Sequence, residues 1–293
     1  MNEKSQKYQL KRRDVSEAVK AIERPTFKWK VVVQIALAFI ILWVTAIGTI
    51  QFIGYWGVGV IGALTLVAMG FGVYVWRLTK KSQAIADILS IATDQEGRKK
   101  AIEQLESGDA SDALNALARA QLVAQEKPTD AIRILEGIDL KKAPAVAQDD
   151  VRANLAFMYL TQNRPKDARP LADEIRLDRQ PNPKAKAMYA AVVAESYSRT
   201  GSSEDAQKLL QTYRHDDPEY GEVGAMLLRA QVYTYTAAKK RGLARKAMEN
   251  LASADLNMLA GFIQKGSHPE LTQMARQILG SAGMAPKVKM QRL

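Results

Sequence analysis

Residues 154–168 read NLAFMYLTQNRPKDA, and residues 193–206 read VAESYSRTGSSEDA. In both stretches apolar residues recur at helical spacing, a short polar turn follows, and an alanine opens a second apolar segment. These alanines, Ala168 and Ala206, continue a regular series that starts at Ala131, with a period of about 37 residues. The sequence therefore predicts a helical hairpin that is repeated along the chain.

The large residues on the first helices of these hairpins keep nearly the same period. They are Leu122, Tyr159, Tyr197 and Tyr233, and they follow one another at nearly equal intervals. A hairpin of two amphipathic helices cannot bury its own apolar face, so neighbouring hairpins must stack into an array. Residues 110–280 are therefore predicted to form one all-α repeat domain.

The pattern resembles the tetratricopeptide repeat, a helix–turn–helix unit of about 34 residues. Its small residue on the first helix, tyrosine three residues later, glycine at the turn and alanine early on the second helix are matched by Ala194, Tyr197, Gly201 and Ala206. Three features depart from the family: its tryptophan is missing, alanine replaces the glycine of its first helix, and the period is longer. The resemblance implies an all-α solenoid, a right-handed superhelix of helix pairs that binds a protein or peptide partner.

A fourth hairpin follows with a variation on this pattern. Ala230 and Tyr233 take the small and the large position on its first helix. Residues 236–242 predict a turn several residues longer than in the preceding repeats, because the next glycine comes only at its end. Ala247 is then expected to open the second helix.

In this family, side chains of the first helices line a concave groove that holds peptides. The register places two aromatic residues on that face, Phe157 and Tyr235, and it makes Arg199 available for a carboxylate. Phe157 has the alternative of a core position. The lysine and asparagine clamp that grips chaperone tails is not evident, although Asn154 falls at a clamp-like position. The residues predicted to bind the partner are Phe157, Leu160, Thr161, Met188, Glu195, Arg199, Gln231 and Tyr235.

A second feature is the uncharged segment from Val31 to Trp76. A membrane core about 30 Å thick needs roughly 20 apolar residues in a helix, so this segment is long enough for two spans. We expect spans at residues 31–53 and 58–76, joined by a turn at residues 54–57. A cleaved signal peptide fits poorly, because the apolar stretch is too long and a second span follows.

The flanks of this segment predict its orientation. Residues 1–30 carry nine lysines and arginines against four acidic residues, and three further basic residues follow at positions 77–81. The positive-inside rule then places both termini and the repeat domain in the cytoplasm. The expected location is the bacterial inner membrane, as a multi-pass protein.

The net positive charge of the chain lies outside residues 82–286. Of the net charge of +11, none belongs to residues 82–286, which contain 27 basic and 27 acidic residues. This distribution is typical of basic segments that lie beside anionic lipid, and it argues against a nucleic-acid partner. Glycines at positions 59, 62, 70 and 72 of the second span would permit close packing against the first span. The alternative is homo- or hetero-association of helices in the membrane.

The predicted organisation has five parts. The connecting part should contain a helix at residues 83–92 and another at residues 96–105. The parts are a basic cytoplasmic segment (1–30), a transmembrane hairpin (31–76), connecting helices (77–109), the repeat domain (110–280) and a basic tail (281–293).

The sequence offers no catalytic constellation. There are no cysteines, and the two histidines, His215 and His268, lie far apart along the chain in predicted turns. No zinc-protease, hydrolase or phosphate-binding motif occurs, so no cofactor or metal is expected. The leading hypothesis is a membrane-anchored scaffold or adaptor that recruits a protein or peptide partner. The alternative is a chaperone-like assembly or quality-control factor that binds its clients transiently.

Overall fold

The computed structural model describes residues 29–48, 55–92, 95–107, 112–124, 126–264 and 266–281. Over these ranges the chain forms helices and turns and no strand, which confirms the all-α prediction. They divide into two compact units, with the boundary between residues 108 and 109.

The first unit contains α1, α2 and α3, and the second contains ten α-helices in its described part. The helices are α1 (Trp29–Gly48), α2 (Trp56–Ile91), α3 (Gln95–Glu106), α4 (Ala113–Ala124), α5 (Pro128–Glu136), α6 (Ala145–Thr161), α7 (Pro165–Glu174), α8 (Pro183–Arg199), α9 (Ser203–Thr212), α10 (Val223–Ala237), α11 (Arg241–Ala254), α12 (Leu256–Ala260) and α13 (Pro269–Ser281).

Of the described helices, α2 alone is long and apolar enough to cross a membrane, while α1 contains a shorter apolar helix at Leu37–Gly48. The predicted second span lies inside α2, which continues unbroken to Ile91. At 1.5 Å per residue α2 is about 54 Å long, well beyond a membrane core of about 30 Å. The connecting helix expected at residues 83–92 is therefore the end of α2. Of the turn predicted at residues 54–57, Tyr55 lies in a turn and residues 56–57 already belong to α2. Residues 49–54, which include the end of the predicted first span, lie outside the described residues.

The helices α1 and α2 pack against each other. Trp43 of α1 donates a hydrogen bond from Nε1 to Thr65 Oγ1 of α2 at 3.2 Å. The glycines of α2 do not take part in this packing, because a Cβ atom built at residues 59, 62, 70 or 72 would meet nothing within 4 Å. Helix association through these glycines stays a prediction.

In the second unit, helices form four successive hairpins: α4–α5, α6–α7, α8–α9 and α10–α11. The first helices of neighbouring hairpins also contact one another, in the order α4, α6, α8, α10. The alanines predicted to open the second helices, Ala131, Ala168 and Ala206, have no exposed surface. Small side chains at these positions let the two helices of a hairpin approach closely, as the sequence pattern predicts.

Three of the first helices end in the same way. The left-handed backbone conformation occurs at Asn163 (φ 59°), Gly201 (φ 100°) and Lys239 (φ 59°), which are equally spaced along the chain. The following N–H donates to the carbonyl of the residue five positions earlier, at 2.8–2.9 Å. This bond satisfies an otherwise unpaired carbonyl at the helix end. The acceptor carbonyls belong to Tyr159, Tyr197 and Tyr235.

The fourth hairpin therefore keeps the register of the third. Tyr235 rather than Tyr233 is the equivalent of Tyr197, and fully buried Ala244 takes the place expected for Ala247. The prediction of a long turn was wrong, because the turn was expected to end at Gly242 and the structure already has Gly242 inside α11. Lys239 instead adopts the left-handed conformation that glycine takes most easily, and α11 begins two residues later.

The start of α10 depends on a close backbone approach at Gly224. A Cβ atom at this position would lie 2.5 Å from the carbonyl oxygen of His215. The neighbour is backbone and cannot move aside as the end of a side chain would, so only glycine fits here without shifting the helix. This contact helps to place α10, which carries two residues of the candidate site.

Candidate peptide-binding groove

One cavity of about 240 Å³ lies against the first helices α6, α8 and α10. Its aromatic wall comes from Phe157 and Tyr233, and its cationic wall comes from Arg199 and Arg229. The repeat explains this meeting, because Phe157, Glu195 and Tyr233 are equally spaced along the chain and occupy the same position on successive first helices. The lining residues are Phe157, Leu160, Thr161, Asn163, Arg199, Arg229, Tyr233, Asn257, Met258, Gly261, Gln264 and Ser267.

Glu195 supports this cavity from within the unit. The residue is buried, at 3% exposed. Its Oε1 atom accepts hydrogen bonds from Nη1 of Arg199 at 2.8 Å and from Nη2 of Arg229 at 2.9 Å. One carboxylate thus joins two guanidinium groups, one from its own helix α8 and the other from α10.

Arg199 also ties α8 to the end of α6. Its Nη1 atom donates to the Leu160 carbonyl at 2.8 Å, and Nη2 donates to the side-chain oxygen of Asn163. A cation is favoured here because the last carbonyls of a helix carry partial negative charge. The guanidinium lies over the Tyr233 ring, 4.5 Å from its centroid. Arg199 therefore has a structural role besides the binding role that the sequence suggests.

Arg229 is held between the two aromatic rings of the cavity. Its guanidinium lies 5.5 Å from the Phe157 ring centroid and 6.0 Å from that of Tyr233. Burial acts to lower the pKa of Arg229, but the nearby Glu195 carboxylate and Tyr233 outweigh it, so that the pKa lies above its usual value. Arg229 is therefore charged at neutral pH, and its buried Nε atom has no hydrogen-bond partner in the structure.

Tyr233 is neutral under the same conditions. Burial raises the pKa of its hydroxyl, and the negative charge of Glu195 raises it further. Its ring also packs against Phe262, with 5.2 Å between the ring centroids. The cavity thus combines two aromatic surfaces with two permanent cations.

The remaining wall comes from the segment after the fourth hairpin. Residues 257–267 contribute five of the lining side chains and backbone positions. The side-chain amide of Asn163 donates to the carbonyl of Gly266, which joins the end of α6 to this segment. Ser267 Oγ donates to the Gly261 carbonyl at 3.3 Å within the segment itself. The repeat pattern does not extend to these residues, and for that reason the sequence did not predict that they line the cavity.

Five of the eight residues predicted to bind a partner lie at or beneath the cavity. Phe157, Leu160, Thr161 and Arg199 line it, and Glu195 lies under the two arginines. Phe157 is partly buried against the core as well, so its two interpretations do not exclude each other. The binding role of these residues stays a prediction.

The other three predicted residues lie elsewhere. Met188 packs in the core of the middle hairpins, and Tyr235 packs against the C-terminal core. The Nε2 atom of Gln231 lies 3.4 Å from the Nδ1 atom of the His215 ring. Two of these misplacements share one cause, because the fourth repeat was aligned two residues out of register. A shift of the alignment by two residues replaces Gln231 with Tyr233 as the predicted lining residue. A constant spacing from Phe157 through Glu195 would have predicted Tyr233.

The structure also locates the other candidate residues. The side-chain amide of Asn154 donates to the Asp150 carbonyl of its own helix at 2.8 Å and does not line the cavity. Across the described ranges, no group of three or more His, Cys, Asp or Glu residues is arranged to hold a metal ion.

Comparison with known proteins supports the repeat assignment. A family profile described as tetratricopeptide repeat matches residues 122–192. The match runs from the end of α4 into α8 and includes Phe157, Leu160 and Thr161 of the cavity. No curated protein and no solved structure matches the chain. Such repeats are typically interaction modules without catalytic activity, and residues 122–192 of the second unit are similar to them.

Proposed function

We propose that this protein is a membrane-anchored scaffold that recruits a protein or peptide partner through the cavity of its repeat unit. The observation that carries the proposal is the convergence of Phe157, Tyr233, Arg199 and Arg229 on one cavity. Tyrosine and arginine are over-represented among the residues that dominate binding energy at protein interfaces. The tetratricopeptide repeat match supports a role in protein–protein interaction.

Filling the cavity mouth should remove the partner. Thr161 lines the cavity and is exposed, so a Thr161→Trp variant would occupy the space without opening the core. We expect affinity capture with the intact, detergent-solubilised protein to recover a defined partner. That partner should be depleted at least about tenfold with the variant, which corresponds to about 1.4 kcal/mol of lost binding.

Thr129→Trp provides the control, because Thr129 is also an exposed threonine on a helix of the repeat unit but does not line the cavity. It should capture the partner as the unaltered protein does. Equal recovery with both variants would contradict the proposal. A broad and weakly bound set of proteins, lost with Thr161→Trp, would favour the alternative of a transient assembly or quality-control factor.

We further propose that the anchor is an N-terminal hairpin of two spans and that the repeat unit lies on the cytoplasmic side. The apolar helix α2 supports one span, and the basic residues beside the uncharged segment support the orientation. The first span rests on the sequence of α1, which is uncharged from Val31 onward.

Reporter fusions test this topology directly. Fusions after residues 25, 56 and 150 should report inside, outside and inside, because the two flanks are basic and the predicted loop between the spans is uncharged. The measurement is the activity of a reporter that is active only on one side of the membrane. An outside signal at residue 150 would place the cavity, and therefore the partner, on the other side.

A further inference from the structure

The charges beside the cavity do not balance. The side chains of Arg199 and Arg229 are 8% and 9% exposed, and both pair with the Glu195 side chain, which is 4% exposed. No other carboxylate within the described ranges forms an ion pair with either arginine. Two buried cations therefore share one anion, which leaves one positive charge at the cavity wall.

An excess of buried charge is costly, because the low-dielectric interior replaces the water that would solvate it. The aromatic faces of Phe157 and Tyr233 reduce this cost through cation–π contacts. The Leu160 carbonyl and Asn163 side chain reduce it through hydrogen bonds. None of these groups carries a negative charge, so the site is electrostatically prepared for an anion.

We propose that the cavity binds a carboxylate of the partner, with Arg199 and Arg229 as the attracting cations. The inference rests on the proposed function and names the chemistry that the groove recognises. Arginine is the residue best suited to carboxylates, because its planar guanidinium presents several N–H donors in a fixed geometry. A cavity of about 240 Å³ lies below the roughly 300–1,000 Å³ typical of drug-sized ligands, so it suits one side chain or chain terminus.

Thr161 allows this proposal to be tested without disturbing the arginines. It lines the cavity, and its hydroxyl donates only to the Met158 carbonyl of its own helix, at 2.8 Å. Thr161→Glu would bring a carboxylate of the chain itself to the cavity and offset the excess positive charge. Thr161→Gln has nearly the same size and no charge, so the two variants differ in charge alone.

The test measures binding of immobilised random octapeptides to the full-length protein in detergent. The peptides come as isosteric pairs that differ in one carboxylate. In one set the C-terminus is free or amidated, and in the other an internal glutamate replaces glutamine. We expect at least about a tenfold preference for the carboxylate member in one set, which identifies the source of the carboxylate. This preference should persist in Thr129→Glu, whose carboxylate lies outside the cavity, and disappear in Thr161→Glu. Thr161→Gln measures how much of that loss comes from side-chain size alone.

The other outcomes separate the two proposals. Equal binding of carboxylate and amide peptides, lost in Thr161→Trp, would overturn the carboxylate inference and leave the proposed groove intact. A carboxylate preference that survives in Thr161→Glu would place the anion site elsewhere and also overturn the inference. Absence of binding by every peptide set would overturn both proposals.

Discussion

Replacing Glu195 with alanine is expected to lower the free energy of unfolding of the repeat unit by about 3–5 kcal/mol. The substitution removes the one carboxylate that pairs with Arg199 and Arg229 and leaves both cations inside the unit. It also removes a link between α8 and α10, because Glu195 lies on α8 and Arg229 on α10. Thermal or denaturant unfolding of the detergent-solubilised protein, followed by helical circular dichroism, measures this loss.

Two further variants separate electrostatics from general damage. Glu204→Ala removes an exposed acidic residue on α9 and should change the stability by less than about 0.5 kcal/mol. Combining Glu195→Leu with Arg229→Met replaces one ion pair by apolar groups, which is often neutral or stabilising for buried pairs. The double variant should therefore be more stable than Glu195→Ala. A Glu195→Ala protein as stable as the unaltered chain would show that the ion cluster does not hold α8 to α10.

The sequence period predicted the repeat unit well because it is set by packing. Alanine recurs where two helices must approach closely, and Ala131, Ala168 and Ala206 are fully buried as expected. The same period placed Phe157 and Glu195 on one face, where the structure has them near one cavity. A pattern of this kind determines which face of each helix packs against its neighbours. The same face can therefore be assigned in each successive hairpin.

Other features depend on interactions that a period does not encode. Lys239 adopts a left-handed conformation that residue type alone does not suggest, and the predicted register of the fourth repeat was therefore wrong by two residues. Arg229 carries a charge yet is buried, because Glu195 and two aromatic rings lie around it. The wall formed by residues 257–267 belongs to no repeat. In the first unit, α2 extends past the uncharged segment because the residues after Trp76 are still compatible with a helix.

If the proposed anchor is correct, removing residues 1–108 should release the repeat unit from the membrane as a soluble, helical fragment. Among the described residues, those before the cut belong to one compact unit and those after it belong to the other. The distribution of exposed large apolar side chains supports the same division. Within the described ranges they lie between residues 33 and 91, with Leu243 as the sole exception in the repeat unit. The fragment thus loses most of the exposed apolar surface that we propose contacts lipid.

The retained unit should fold cooperatively because it has a core of its own. Leu227, Met248, Leu251 and Leu259 have no exposed surface, and all of them lie in the second unit. Fractionation of cells that express each form measures the change of location, and circular dichroism of the purified fragment measures its fold. In a matched fragment with Leu227→Ala, the free energy of unfolding should be lower by about 2–5 kcal/mol, since a large buried side chain is lost. An aggregated fragment without helical signal would show that the repeat unit needs the N-terminal helices to complete its core, and the proposed anchor would then also be a structural element.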